Sequence, residues 1–390
     1  MRLMLLSLSL ILTACGGGGS SIPVTDTKIV PVQSSPIPVL ASSFENEMTA
    51  AKVLGTQNLP LDWKPCGDRI DCGSFVAPAI AFADFIRDGT YSMIAHSIEY
   101  NAVNTLDLNR KGRIKFYQSV NGTWVDNTNK ILKPDQTEGC LHASKAIVAD
   151  FMQNGMPSVF FSCYGFDGPG YAPGERQRIL LGQRDGTYKN VELPIINFCT
   201  CSSASAADIN GDGYPDIVLT DNYQKYSAFV LINNKDGTFT IDTTRLPNEI
   251  IHKALYAVEL VDLNNDGKYD IVVGGVEQCC HGITTPVMIY HNSNGYFTNG
   301  ISIPSVPGYG MVLDMVYDNG YLYISRTSDD DKNFYGAFSV QRVKYSTLEH
   351  AILYQGNAVL GEGKRFMDSI IPYGNNIVSV SSLYNFSVGK

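Results

Sequence analysis

Beyond about residue 75 the apolar positions come in short runs of aliphatic, β-branched and aromatic residues. Gly, Pro, Asn and Asp break these runs, and helix-period stretches are scarce. Such a pattern predicts many short strands joined by tight turns. The start of the chain differs. Met1-Arg2-Leu3-Met4-Leu5-Leu6-Ser7-Leu8-Ser9-Leu10-Ile11-Leu12 is one cation followed by a short apolar stretch, closed by Thr13-Ala14-Cys15. It is too short to span a bilayer as a helix and has the form of an export signal over 1–14. Residues 15–41, opening on Gly16-Gly17-Gly18-Gly19-Ser20, have the composition of a flexible tether. In the lead-in segment 42–75, Ser42-Ser43-Phe44-Glu45 has capping-box spacing and predicts one short helix ending near Leu54-Gly55.

The strand-rich part, residues 76–390, repeats itself. Asp208-Ile209-Asn210-Gly211-Asp212-Gly213-Tyr214-Pro215-Asp216-Ile217-Val218 and Asp262-Leu263-Asn264-Asn265-Asp266-Gly267-Lys268-Tyr269-Asp270-Ile271-Val272 agree at each informative position. Weaker copies start at Asp84 and Asp150, and decayed ones at Asp314 and Asp368, so the spacing settles just above about 50 residues, as propeller blades require. A second signal keeps the same phase: Asn121-Gly122, Asp185-Gly186, Asp236-Gly237 and Asn294-Gly295, pairs suited to tight hairpins because both central residues take positive φ. Each unit therefore reads strand, acidic loop, strand, variable loop, strand, glycine turn, strand. Six units fit the length, with seven as the alternative. The last unit stops soon after its second strand, which leaves the closure of the ring open.

Asp-x-Asn-x-Asp-Gly-x-x-Asp followed by Ile-Val, with an Asn/Asp-Gly-Thr-aromatic hairpin, resembles the VCBS and integrin-type FG-GAP repeats. The resemblance implies an all-β propeller of four-stranded blades with Ca2+ loops between inner strands. Leu12-Thr13-Ala14-Cys15 similarly looks like a lipobox. It implies acylation of Cys15, and Gly16 after it implies an outer-membrane destination.

Calcium takes six to eight hard oxygen ligands, and carboxylates on alternating residues of a tight loop can turn toward one point. The expected ligands are Asp208, Asn210, Asp212, the Tyr214 carbonyl and Asp216, and likewise Asp262, Asn264, Asp266, the Lys268 carbonyl and Asp270. An EF-hand would need Glu at loop position twelve. Leu219 and Val273 stand there instead. The Asp84 loop keeps only Asp88 and Ser92 as further candidates. At least two structural ions are expected.

Eight cysteines follow Cys15: Cys66, Cys72, Cys140, Cys163, Cys199, Cys201, Cys279 and Cys280. Export and their even number point to disulfides. Cys66 with Cys72 and Cys140 with Cys163 are the local pairings. The other four pair as Cys199 with Cys201 and Cys279 with Cys280, or across neighbouring blades. In the blade scheme all eight fall on the rim opposite the acidic loops, together with His96, His142, His252 and His281, where a soft-metal site is the alternative to disulfides. Tyr164, Phe166, Tyr171, Tyr223 and Tyr226 lie on the variable loops of that rim, where aromatics either pack together or receive a glycan or protein ligand. Asp329-Asp330-Asp331 reads as a solvated loop.

Charge then narrows the partners. A net charge of -9 and a pI near 5.2 argue against nucleic acid, which needs a cationic face. No G-x-S-x-G, H-E-x-x-H or Walker sequence is present. The expected function is a non-catalytic binding or adhesion module, lipid-anchored in the outer membrane. A scaffold subunit of an envelope complex and a carbohydrate-active hydrolase or lyase are the alternatives.

Overall fold

The structure is a computed structural model, and it describes residues 79–99, 110–121, 123–166, 173–194, 199–221, 228–251, 253–277, 285–329, 335–357, 370–373, 375–379 and 387–390. The proposed export signal, Cys15, the tether, the lead-in helix, Cys66, Cys72, Tyr171, Tyr223, Tyr226, His252, Cys279, Cys280, His281, Asp330, Asp331 and Asp368 lie outside the described residues.

The strands form six antiparallel sheets in chain order. Blade one is β1 (Ile80–Ala83), β2 (Ser92–His96), β3 (Ile114–Val120) and β4 (Thr123–Asp126). Blade two is β5 (Ala143–Ala149), β6 (Ser158–Cys163), β7 (Arg178–Gly182) and β8 (Tyr188–Glu192), and blade three is β9 (Cys201–Ala207), β10 (Asp216–Asp221), β11 (Ala228–Asn233) and β12 (Phe239–Asp242). Blade four is β13 (Leu255–Val261), β14 (Asp270–Gly275), β15 (Met288–Ser293) and β16 (Tyr296–Ser302). Blade five is β17 (Met311–Asp318), β18 (Tyr321–Thr327), β19 (Ala337–Lys344) and β20 (His350–Asn357). Blade six has three described strands, β21 (Ile370–Tyr373), β22 (Asn376–Ser379) and β23 (Ser387–Gly389). The first strand of each blade lies beside the first strand of the next, from β1 through β21. This is the six-bladed β-propeller that the repeat predicts.

Burial explains the strand order. The second strands β6, β10 and β14 are buried along their whole length, since both faces meet neighbouring blades. Of the outer strands, β12 is half exposed and β16 mostly exposed. Apolar side chains form clusters between consecutive blades. Ile94, Phe116, Ala146 and Phe161 join blades one and two, and Phe151, Phe160, Leu219 and Phe239 join two and three.

The glycine turns fall between third and fourth strands as the sequence predicts. Asp185 accepts the Thr187 N–H at 3.0 Å and its hydroxyl at 2.6 Å, and Asp236 holds Thr238 at 2.9 and 2.6 Å. That pair of bonds is why threonine follows Asp-Gly here.

Two expectations are corrected. Asp314 does not open a loop: it sits within β17, opposite Ser325, and is buried. The β17–β18 connection is instead the tight turn Asn319-Gly320, with φ of 49° and 86°. The loop position of this blade is a two-residue hairpin, so the aspartate that keeps the repeat spacing lies upstream of it, inside the strand. The sixth unit also runs further than its second strand, since β23 adds a third at the C-terminal end.

Candidate functional site

The acidic loops follow the first strands of blades one to four, and their first aspartate does the same work in each. Asp208 accepts the N–H of Asp212 on Oδ1 at 3.0 Å and of Gly213 on Oδ2 at 2.8 Å. Asp262 takes those of Asp266 and Gly267 at 3.0 and 2.9 Å. Asp84 takes those of Asp88 and Gly89, and Asp150 those of Asn154 and Gly155. Gly213 and Gly267 have φ of 88° and 82°, a region that side chains with a Cβ resist. The last aspartate of each full loop joins it to the next hairpin. Asp216 accepts the N–H of Ile209 at 3.2 Å and of Asn233 at 2.9 Å, and Asp270 accepts those of Leu263 at 3.3 Å and Asn292 at 3.0 Å.

Each full loop offers three carboxylates, a side-chain amide oxygen and a main-chain carbonyl, a set of hard donors that fits calcium rather than a softer metal. Burial pushes the Asp216 carboxyl up to about 7, and the facing charges of Asp212 and Asp208 push it further in that direction. A divalent cation would offset that repulsion. Lys235 meets Asp212 at 3.3 Å, so a side-chain cation already supplies part of this compensation there, and the His291 ring lies 3.2 Å from Asp270. Among the described residues neither loop brings three carboxylate atoms within 4.8 Å of one another. The group that does converge so closely is Cys140, Cys163 and Glu175. In the blade-one loop, Ser92 is buried in β2 and donates to the Ala83 carbonyl at 3.2 Å.

On the opposite rim the cysteines are used as disulfides, Cys140 with Cys163 and Cys199 with Cys201, all four buried. The sulfurs of the converging group are therefore already bonded. His96 accepts the Cys140 N–H on Nε2 at 2.8 Å. Burial holds its pKa down to about 3 and that of His142 to about 4, so both are neutral, and His96 links blade one to blade two. Phe166 is fully buried and presents no ring to a ligand, while Tyr164 packs on His142 with centroids 5.6 Å apart.

Two features were missed in the sequence. The first is a pair of grooves on the outer edge of blades one and two, with volumes of about 570 and 560 Å³ and sharing Asn129 and Lys130. The β4–β5 connection builds them through two single-turn 3-10 segments, Thr128–Lys130 and Pro134–Gln136. Arg113, Lys115, Lys130, Lys133 and Lys189 line the grooves against Asp126, Asp135 and Asp185, with Asn127, Thr137, Gln183 and Asn190 between them. A cationic strip in a chain of net charge -9 is the signal that could have found them.

The second is polar and axial. Lys145 of β5 contacts Glu259 of β13 and lies 3.2 Å from Asp314 of β17. Ser205 of β9 donates to Glu259 at 3.2 Å, and Asp314 accepts the Ile370 N–H of β21 at 2.9 Å. Charged residues inside otherwise small or apolar inner strands are its trace in the sequence.

No curated protein sequence matches this chain. Among solved structures, a candidate 6-phosphogluconolactonase from Bacteroides uniformis is similar at 10% identity and a TM-score of 0.45, over 81% of this chain and 84% of that one. An alpha-L-arabinofuranosidase from Clostridium thermocellum is similar at 11% identity and a TM-score of 0.37, over 60% of this chain and 79% of the other. At these values neither activity carries over. The family model of the FG-GAP-like repeat matches residues 208–273, the segment that holds both full acidic loops. The protein is thus a six-bladed β-propeller whose residues 208–273 match the FG-GAP-like repeat.

Proposed function

We propose that this is a lipid-anchored outer-membrane protein whose calcium-stabilised propeller is a non-catalytic binding module for an acidic glycan. The observation that carries the ligand class is the pair of adjoining grooves, where five cations face three carboxylates among amide and hydroxyl groups. Amides and hydroxyls hydrogen-bond vicinal sugar hydroxyls, and lysines attract carboxylate or sulfate substituents. Calorimetric titration with a uronic-acid oligosaccharide and with its neutral analogue tests this. Binding of the acidic form alone, weakened by added salt and by Lys130→Ala or Lys133→Ala, is the expected result. Equal binding of the neutral sugar, or none of either, overturns it.

Calcium is proposed from the donor set of the Asp208–Asp216 and Asp262–Asp270 loops. An ion that binds only the folded state adds about 2.7 kcal/mol per site when its concentration is a hundredfold above Kd. Melting curves with and without chelator, for the wild type and for Asp212→Ala with Asp266→Ala, should show a chelator response that the double variant loses. Anchoring is proposed from the Leu12-Thr13-Ala14-Cys15 sequence alone. Mass spectrometry of the mature N-terminus should find acylated Cys15. Among the described residues no helix is long and apolar enough to cross a membrane.

A further inference from the structure

The axial cluster has the parts of a bond-forming site. Lys145, Glu259 and Asp314 have side chains only 6%, 2% and 5% exposed, and they come from the first strands of three different blades. Lys145 touches both carboxyl groups. Each acid is also held from its far side, Glu259 by the Ser205 hydroxyl and Asp314 by the Ile370 N–H. Ser205 is fixed in turn, because its oxygen accepts the Leu260 N–H at 3.0 Å. The three reacting groups are therefore positioned, in contact and shielded from water.

We propose that Lys145 and Glu259 condense to an isopeptide bond that ties blade two to blade four across the axis, with Asp314 as the base. Asp314 takes a proton from the Lys145 ammonium and keeps it, which frees the amine to attack Cδ of Glu259. The new N–C bond forms as one C–O bond of the carboxyl breaks. A second proton from the nitrogen leaves with that oxygen, and one water is released. No oxidant or reductant is needed.

Three features of the site favour this over a permanent ion cluster. Held neighbours react with effective molarities far above any free solute. A buried ion pair carries a large desolvation cost, which a neutral amide does not. Burial also raises the Glu259 carboxyl well above the usual carboxylate range, against the pull of the Lys145 charge and with the Asp314 charge adding to the rise, which favours the proton its departing oxygen needs.

Tryptic mapping of the reduced, alkylated full-length protein tests the proposal without any variant. The expected result is no cleavage after Lys145 and a branched product, in which the segment bearing Lys145 is joined to Ala254–Lys268 and the pair is lighter by one water. Lys145→Arg keeps the charge but cannot form the bond, and should restore linear Ala254–Lys268. Asp314→Asn should sharply reduce the branched fraction. Full yield of linear peptides from the wild type overturns the bond, and an undiminished branched product from Asp314→Asn overturns the role of Asp314.

Discussion

Glu175 is the sharpest probe of how the cysteine-bearing rim is built. Its side chain is buried beside the Cys140–Cys163 disulfide and accepts the Leu141 N–H, with Glu175 oxygens at 3.0 and 2.8 Å. Burial pushes its carboxyl from the usual 4.5 up to about 7, despite that hydrogen bond and the nearby charges of Lys111 and Arg178. Below about pH 4.5 the group is protonated in both the folded and unfolded chain and costs nothing. Between 4.5 and 7 the unfolded chain gives up its proton while the folded one keeps it, so stability falls as pH rises, and above about 7 the loss is complete. At about 1.4 kcal/mol for each pH unit separating the two values, the loss is about 3 kcal/mol. Glu175→Gln imitates the protonated form at every pH. Urea unfolding of both proteins at pH 4.5 and pH 8 should give nearly equal stabilities at the lower pH and a variant about 3 kcal/mol ahead at the higher one. His142, whose pKa burial holds down to about 4, contributes equally to both proteins and drops out of the comparison. Identical pH dependence in the two proteins would refute the reasoning, since Glu175 would then ionise in the folded state as freely as in the unfolded one.

Arg326 is fully buried, 2.9 Å from Glu277 and donating to Gln341 at 2.8 Å. Arg326→Met strands Glu277 and should cost about 3–5 kcal/mol in urea unfolding, with much of it regained by adding Glu277→Gln. Phe161→Ala removes a ring packed between blades one and two, 5.5 Å from the His96 ring, and should cost about 3–5 kcal/mol by the same assay. Gly320→Ala meets no neighbouring atom but forces a Cβ onto a φ of 86°, so thermal melts should show a loss of about 1 kcal/mol from the backbone alone.

The blade plan was legible at residues 208–273 because each aspartate of the motif has a local task there: the first gathers loop amides and the last grips the next hairpin. The shorter loops at Asp84 and Asp150 stayed legible because the same gathering needs only the first aspartate and a left-handed glycine. Blade five shows the converse. Asp314 is acidic for the sake of Lys145, at 3.2 Å, and not of a loop. Lys145, Glu259 and Asp314 could not be joined in advance, since only the stacking of inner strands brings them together. The disulfide partners Cys140 and Cys163 were local enough to pair from the blade scheme. Phe166, an aromatic on a variable loop, is core rather than ligand contact, since its side chain is fully buried.

The apolar clusters described above lie between blades, so no blade owns its core. Phe161 of blade two shares its cluster with Ile94 and Phe116 of blade one, and Leu219 of blade three shares its cluster with Phe151 and Phe160 of blade two. A blade cut out of the ring would carry two greasy faces into water, and the ring left behind would expose two more. Such a molecule grows or shrinks by whole units or not at all, and a chain broken off midway through synthesis or proteolysis is a sticky fragment rather than a smaller working protein.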